Sequence, residues 1–140
     1  MSTTCHKFAR ILKAKRSSNP GVCFVTRMRN DIKVNVLGRR THSPTVFLMA
    51  FSFENVSSNG KALCLGEFVF RQTEVQRFLD ALSRHGIKAT AVHNHWLFEN
   101  PRLIYIHWEA ITEPLRFARI SSHALDIALK RSNCIHLKGK

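Results

Sequence analysis

Residues 93–107 constrain the fold more than any other stretch, because they read as a β-hairpin that carries chemistry. They run His93-Asn94-His95-Trp96-Leu97-Phe98-Glu99-Asn100-Pro101-Arg102-Leu103-Ile104-Tyr105-Ile106-His107 and hold three of the eight histidines. In an extended first arm, side chains alternate, so His93 and His95 project from one face. Their Cα atoms then lie roughly 6.5 to 7 Å apart, from which two imidazoles can converge on one ion. If facing residues sum to 200, His107 sits opposite His93 and Tyr105 opposite His95. A slip of one residue would send His107 to the other face.

A chain of 140 residues with 44% hydrophobic residues has enough material for one domain with a buried core. It contains no apolar run of the ~18 residues that span a bilayer, so no transmembrane segment is expected. Residues 1–16 lack the apolar region of a secretory signal. Cys5, Cys23, Cys64 and Cys134 form no CxxC pair and read as reduced, buried thiols, which points to a cytoplasmic protein. The net charge of +13 is uneven: residues 1–40 carry ten Lys or Arg against the single Asp31. Such a basic segment attracts phosphate backbones or anionic lipid. No RNA-binding aromatic signature, zinc-finger spacing or helix-turn-helix pattern accompanies it, so nucleic acid is not the favoured partner.

Residues 5–15 form a short amphipathic helix, with Phe8, Ile11 and Leu12 on one face, and 17–21 break the chain. Residues 22–28 and 32–37 read as strands joined by Arg29-Asn30-Asp31, and residues 38–44 as a loop offering Arg39 and Arg40 to an anion. Residues 45–54 read as a central strand, Asn59-Gly60 as a turn, and 61–70 as the partner strand. Glu67 lies there on an otherwise apolar face, either as a partner for a metal, histidine or arginine or as a carboxylate reaching water. A helix opens at Thr73, with Gln76 completing a capping box, and ends at Gly86. The hairpin arms are 87–96 and 102–110, and a last helix opens at Thr112-Glu113-Pro114, with His123 on its surface. The organisation is a basic helix and linker over 1–21, a single domain over 22–130 and a basic tail over 131–140. The fold class is α+β: an antiparallel sheet of five to six strands, two long helices on one face and a short N-terminal helix.

Five segments carry a resemblance: Asn30-Asp31-Ile32-Lys33-Val34, Leu65-Gly66-Glu67-Phe68-Val69, Gly86-Ile87 with Thr90-Ala91-Val92-His93-Asn94-His95, Glu99-Asn100-Pro101-Arg102, and Tyr105-Ile106-His107. Through them the chain resembles the bacterial LppY/LpqO family of unassigned function, over roughly residues 8–129. The resemblance marks Glu67, His93, Asn94, His95, Glu99, Arg102 and His107. Gly66-Glu67 stands where that family usually has Gly-Asp, a longer arm at the acidic position. The family's secreted lipoprotein members carry a lipobox that is not visible here, so their location does not transfer. The resemblance implies a site and no particular reaction.

The residues themselves suggest a metal centre. His93, His95 and His107 would be nitrogen ligands, with Glu67 or Glu99 completing the shell or acting as base. The metal would be a divalent transition ion, zinc ahead of manganese or iron. Asn94, Arg102 and Tyr105 would bind a small-molecule ligand. The competing reading makes the histidines hydrogen-bonding groups and pairs Glu99 with Arg102 to shape the turn. A non-metal module would hold a small anionic ligand with the histidines, Arg102, Arg39 and Arg40. The string His93-Asn94-His95 is not the nuclease motif of that name, and the deaminase PCxxC, GxGxxG, P-loop and GxSxG signatures are absent.

Overall fold

The structure, a computed structural model, describes residues 2–129; the tail expected over 131–140 lies outside the described residues. Helix α1 (Ser2–Ile11) leads into β1 (Lys15–Ser17) and β2 (Val22–Met28). Then come β3 (Val34–Val36), β4 (Arg39–Thr41), α2 (Pro44–Phe47), β5 (Leu48–Glu54) and β6 (Ala62–Arg71). Helix α3 (Val75–Arg84), β7 (Lys88–Asn94), β8 (Glu99–Asn100), β9 (Leu103–Thr112) and α4 (Pro114–Leu129) complete the chain. Six strands pair antiparallel in the order β1-β2-β5-β6-β9-β7, and a second sheet has the order β4-β3-β8. The fold is α+β with a six-stranded antiparallel sheet. Only α4, at 16 residues, is a long helix, because α3 and α1 have 10 each.

The main core lies between one sheet face and the helices α1, α3 and α4. Strands β2, β5, β6 and β9 present Val25, Phe51, Phe53, Cys64, Phe68, Phe70, Ile106 and Trp108 to it, spaced by two as half-buried strands require. Gly66 makes room for the largest of these: a Cβ there would lie 2.6 Å from Trp108 Cε2. The indole is 1% exposed and its Nε1 donates to Ser121 Oγ at 2.9 Å, so it cannot move aside without losing a buried hydrogen bond. Helix α1 docks Phe8, and the turn after it docks Leu12, as the apolar stripe implies, with Phe8 edge-on to Phe53 at 5.0 Å. Gly86 has φ +72° just past α3, the left-handed exit expected of it. Glu113 accepts from the amides of Leu115 and Arg116 and so caps α4.

Three local expectations are corrected. Residues 32–37 do not form a hairpin with β2; β3 pairs with β4 and β8 in the second sheet. The cause is Arg29, whose side chain turns inward at the end of β2. Its Nη1 and Nη2 each reach a Glu74 carboxylate oxygen at 2.7 Å, Nη1 also donates to the Val69 carbonyl, and Nε donates to Asp31. Burial opposes the Arg29 charge, but the bonds from Glu74 and Asp31 outweigh it and hold the guanidinium above its ordinary value. Glu74 rather than Gln76 closes the start of the helix, by accepting the Arg71 amide at 2.7 Å through a preceding 3-10 turn (Gln72–Glu74). Residues 38–44 contain β4 and the start of α2 instead of a plain loop.

The cysteine expectation is also corrected. Cys5 on α1 and Cys23 on β2 are joined by a disulfide, their Cα atoms 5.6 Å apart. Docking α1 across β2 brings together residues 18 apart in sequence. Such bridges belong to oxidising compartments, so the cysteines no longer argue for a cytoplasmic location. Cys64 does match the buried-hydrophobe reading, since burial pushes its thiol up to about 12. Among the described residues, no helix is long and apolar enough to cross a membrane.

Two stability outcomes follow from these contacts. Glu74→Ala strands a buried guanidinium and should cost about 3–5 kcal/mol in denaturant unfolding. Reduction of Cys5–Cys23 releases a closed loop and should cost about 3 kcal/mol, with the oxidised bridge detectable as a two-dalton mass deficit against the reduced chain.

Candidate functional site

The sheet face opposite the helices divides in two. Towards the C-terminal end of β6, Val69, Leu103 and Tyr105 join the core together with Val34, Val46 and Phe47 from β3 and α2. The remainder stays open and contains a cavity of about 320 Å³ whose lining includes Phe24, Ser52, Leu65, Glu67, Thr90 and His107. Apolar walls with a few convergent polar groups are the usual make-up of a small-molecule site.

Strand register decides which groups meet there. Glu67 pairs with His107 across β6 and β9, so both project onto the open face. Between β7 and β9 the expected pairing is corrected by two residues: His93 faces Tyr105, and His107 faces Ala91. A shift of two preserves the face, so His93 and His107 still project together. That parity is set by a bulge between Ala89 and Ala91. Continued past Thr90 without a bulge, the pairing of Lys88 with Glu109 would have placed His93 opposite Ile104 and turned it inward. Ala91, with only a methyl group, leaves space for the two imidazoles to close diagonally, with ring centroids 5.2 Å apart.

His93 Nε2 lies 3.0 Å from His107 Nε2. His93 Nδ1 is 2.8 Å from the Asn94 carbonyl, which can only accept, so that nitrogen carries a proton. His107 Nδ1 lies 3.4 Å from Glu67 Oε2. Glu67 thus lies beside His107 while its side chain stays 38% exposed. The row Glu67–His107–His93–Asn94 carbonyl is continuous across three strands.

The other candidates are held elsewhere. His95 Nε2 lies 2.9 Å from the Thr45 carbonyl, and its ring stacks on Tyr105 at 4.5 Å and 7°. Among the described residues no group of three or more His, Cys, Asp or Glu is placed to hold a metal, and the three imidazoles do not converge. Tyr105 is 9% exposed, and its hydroxyl donates to the Leu48 carbonyl, so it is a packing platform touching all three histidines. Burial pushes its phenol up, with the Glu67 charge adding to the effect. Glu99 has a fully buried side chain: Oε1 accepts the Leu103 amide at 2.9 Å and lies 3.6 Å from Arg102 Nη1. Its Oε2 has no hydrogen-bond partner among the described residues. Arg102 donates to the Trp96 and Leu97 carbonyls and shapes the loop. Asn94 contributes its carbonyl to His93, and its side chain is exposed.

Phe24 and Ser52 carry no sequence signal of a site, and Thr90 and Ala91 only the resemblance of the segment that contains them. Their part depends on the bulge and on pairing between strands distant in sequence.

Burial is the main cause that holds His95 below its ordinary value of 6.5. The Thr45 carbonyl, which accepts from the ring, works against this, but burial prevails, so protonation is opposed in the folded state and stability present above pH 6.5 is lost as pH falls below it. Thermal unfolding from pH 8 to pH 5 should show this acid loss, and His95→Gln should flatten it.

No curated protein and no solved structure matches the chain. Residues 6–127, most of its length, match one described family. The chain belongs to the family described as Domain of Unknown Function (DUF1259).

Proposed function

We propose that the open sheet face binds a small molecule and that the His93–His107 pair exchanges a proton with it. The supporting observation is the 3.0 Å approach of the two Nε2 atoms, each ring having its Nδ1 beside an acceptor. Two bare lone pairs at that distance repel, so a proton lies in the gap, carried by His107 Nε2 because His93 already holds its proton on Nδ1. One shared proton suffices. His107 then donates from Nε2 to His93 and His93 from Nδ1 to the Asn94 carbonyl, with Glu67 Oε2 3.4 Å from His107 Nδ1. The row holds a proton between two imidazoles, beside a cavity sized for a small ligand, which suits general acid–base work. Glu67 is a positioning residue that orients His107. The resemblance to the LppY/LpqO family supports the same positions, since Glu67, His93 and His107 are among those it marks.

A divalent transition metal is a second reading, favoured by one observation. Imidazoles that bind metals donate the other ring nitrogen to a carboxylate or carbonyl, as His93 Nδ1 does to Asn94 here, with Glu67 3.4 Å from His107 Nδ1. Zinc, ahead of manganese or iron, would take His93 and His107 and leave positions open for water, which it would activate as a Lewis acid.

Elemental analysis after reloading with zinc, manganese or iron separates the two. The proton reading expects no stoichiometric metal, together with imidazole NMR titrations in which His93→Ala alters the curve of His107. A near-stoichiometric metal lost in both His93→Ala and His107→Ala would replace the proton with a metal. Independent titrations of the two rings without metal would reject both. Fragment binding followed by amide shifts at Ser52, Thr90 and Glu67 should disappear in Ser52→Phe, which fills the cavity.

A further inference from the structure

Four large apolar side chains stand in solvent on two adjoining turns. Leu37 is 75% exposed, Leu97 70%, Phe98 69% and Trp96 41%. The first turn is Leu37-Gly38, which joins β3 to β4 with both residues at positive φ, +51° and +76°. A two-residue turn of this kind favours Asn, Asp or Gly at its first position, because a side chain crowds the backbone there. Leucine in that seat is thus unfavourable twice over, in conformation and in exposure. An outlier of this kind in an exposed turn directs attention to function.

The two turns form one unit. The Leu37 amide donates to the Phe98 carbonyl at 2.8 Å, and β8 continues the pairing beside β3. Arg102 donates to the Trp96 and Leu97 carbonyls at 2.8 and 3.2 Å. Three successive carbonyls of the apolar turn therefore have donors, which is the condition for backbone to enter a low-dielectric phase. Arg39 and Arg40 are exposed directly behind Leu37, with Lys33 exposed before β3, and Arg40 Nε is held by Asn35 Oδ1. Asp31, the nearby exposed carboxylate, is already taken by Arg29 and Arg71.

An apolar tip with arginines behind it fits an anionic lipid surface: the apolar side chains enter the acyl boundary while the cations meet the headgroups. We propose that the tip formed by Leu37, Trp96, Leu97 and Phe98, with Arg39 and Arg40, docks this protein onto anionic bilayers. The proposal rests on residues separate from the histidine row and stands independently of it.

The test is co-sedimentation of the full chain with phosphatidylcholine vesicles with and without phosphatidylglycerol. It is paired with Trp96 emission, since Trp108 is buried. Binding is expected only to the anionic vesicles, with a blue shift, and Leu37→Asn/Phe98→Ser should weaken it by about tenfold or more. Leu37→Asn suits the turn, so its melting temperature should hold or rise, which keeps lost binding distinct from lost fold. Absence of vesicle binding would overturn the proposal. So would binding that survives the double variant but vanishes in salt, because charge alone would then account for it. Lipid-free self-association abolished by the same variant would assign the tip to a second copy of this chain instead.

Discussion

The buried pair of Arg29 and Glu74 is the interaction on which the arrangement of the two sheets depends. It joins the end of β2, the Val69 carbonyl of β6 and the turn into α3 through short, directional bonds. Desolvating both charges is costly, and an apolar pair of equal volume could fill the same space. What the ion pair adds is direction. With the Arg29 side chain committed inward, the following residues leave the main sheet and pair as β3 and β4. That second sheet gives β8 a partner, and the return through α2 brings the Thr45 carbonyl beside His95. The pair thus acts at a distance on the loop beside the histidines.

Much of the fold was legible because local signals agreed with the tertiary outcome. Alternation alone located β2, β6 and the long hairpin arms, and Gly86 and Pro114 punctuate the two helices as their chemistry demands. The errors share a different origin. The destination of residues 32–41 and the Cys5–Cys23 bridge depend on partners 63 to 65 and 18 residues away, and Glu74 is tied to Arg29, 45 residues before it, as well as to the nearby Arg71 amide. A window along the chain contains no trace of those partners. The Leu37-Gly38 turn shows the same limit, since leucine is a poor marker for a left-handed turn.

The site was legible in part for a reason of parity. The expected pairing sum of 200 and the observed 198 are both even, so His93 and His107 share a face in either case. The nearest-neighbour assignments differ, and the contact survives because a diagonal imidazole pair can close over Ala91. His95 shares that parity, yet its ring is held against Tyr105 and its Nε2 against a backbone carbonyl from an α2 residue. Strand alternation specifies where a side chain starts and not which acceptor it finds. Glu99 and Arg102 behave as the structural pair that the competing reading described, holding the loop from inside.

The bulge at Thr90 links the site to a demand that any open sheet must meet. Strand β7 is the last in the main sheet and leaves one row of backbone groups unpaired, a template for association with another chain. The other edge, β1, is only three residues long and carries Lys15 and Arg16, which blunts it. Strand β7 has seven residues and requires another device; a bulge that twists and interrupts the edge supplies one. The same inserted residue changes the side-chain phase of the strand. Before it, Lys88 shares the open face with Glu109; after it, Ala91 and His93 take that face with His107 and Tyr105. Protection of the edge and aim of the histidine therefore rest on one local feature. A substitution that smoothed the strand while retaining all its residues would both expose the edge and turn His93 away from His107.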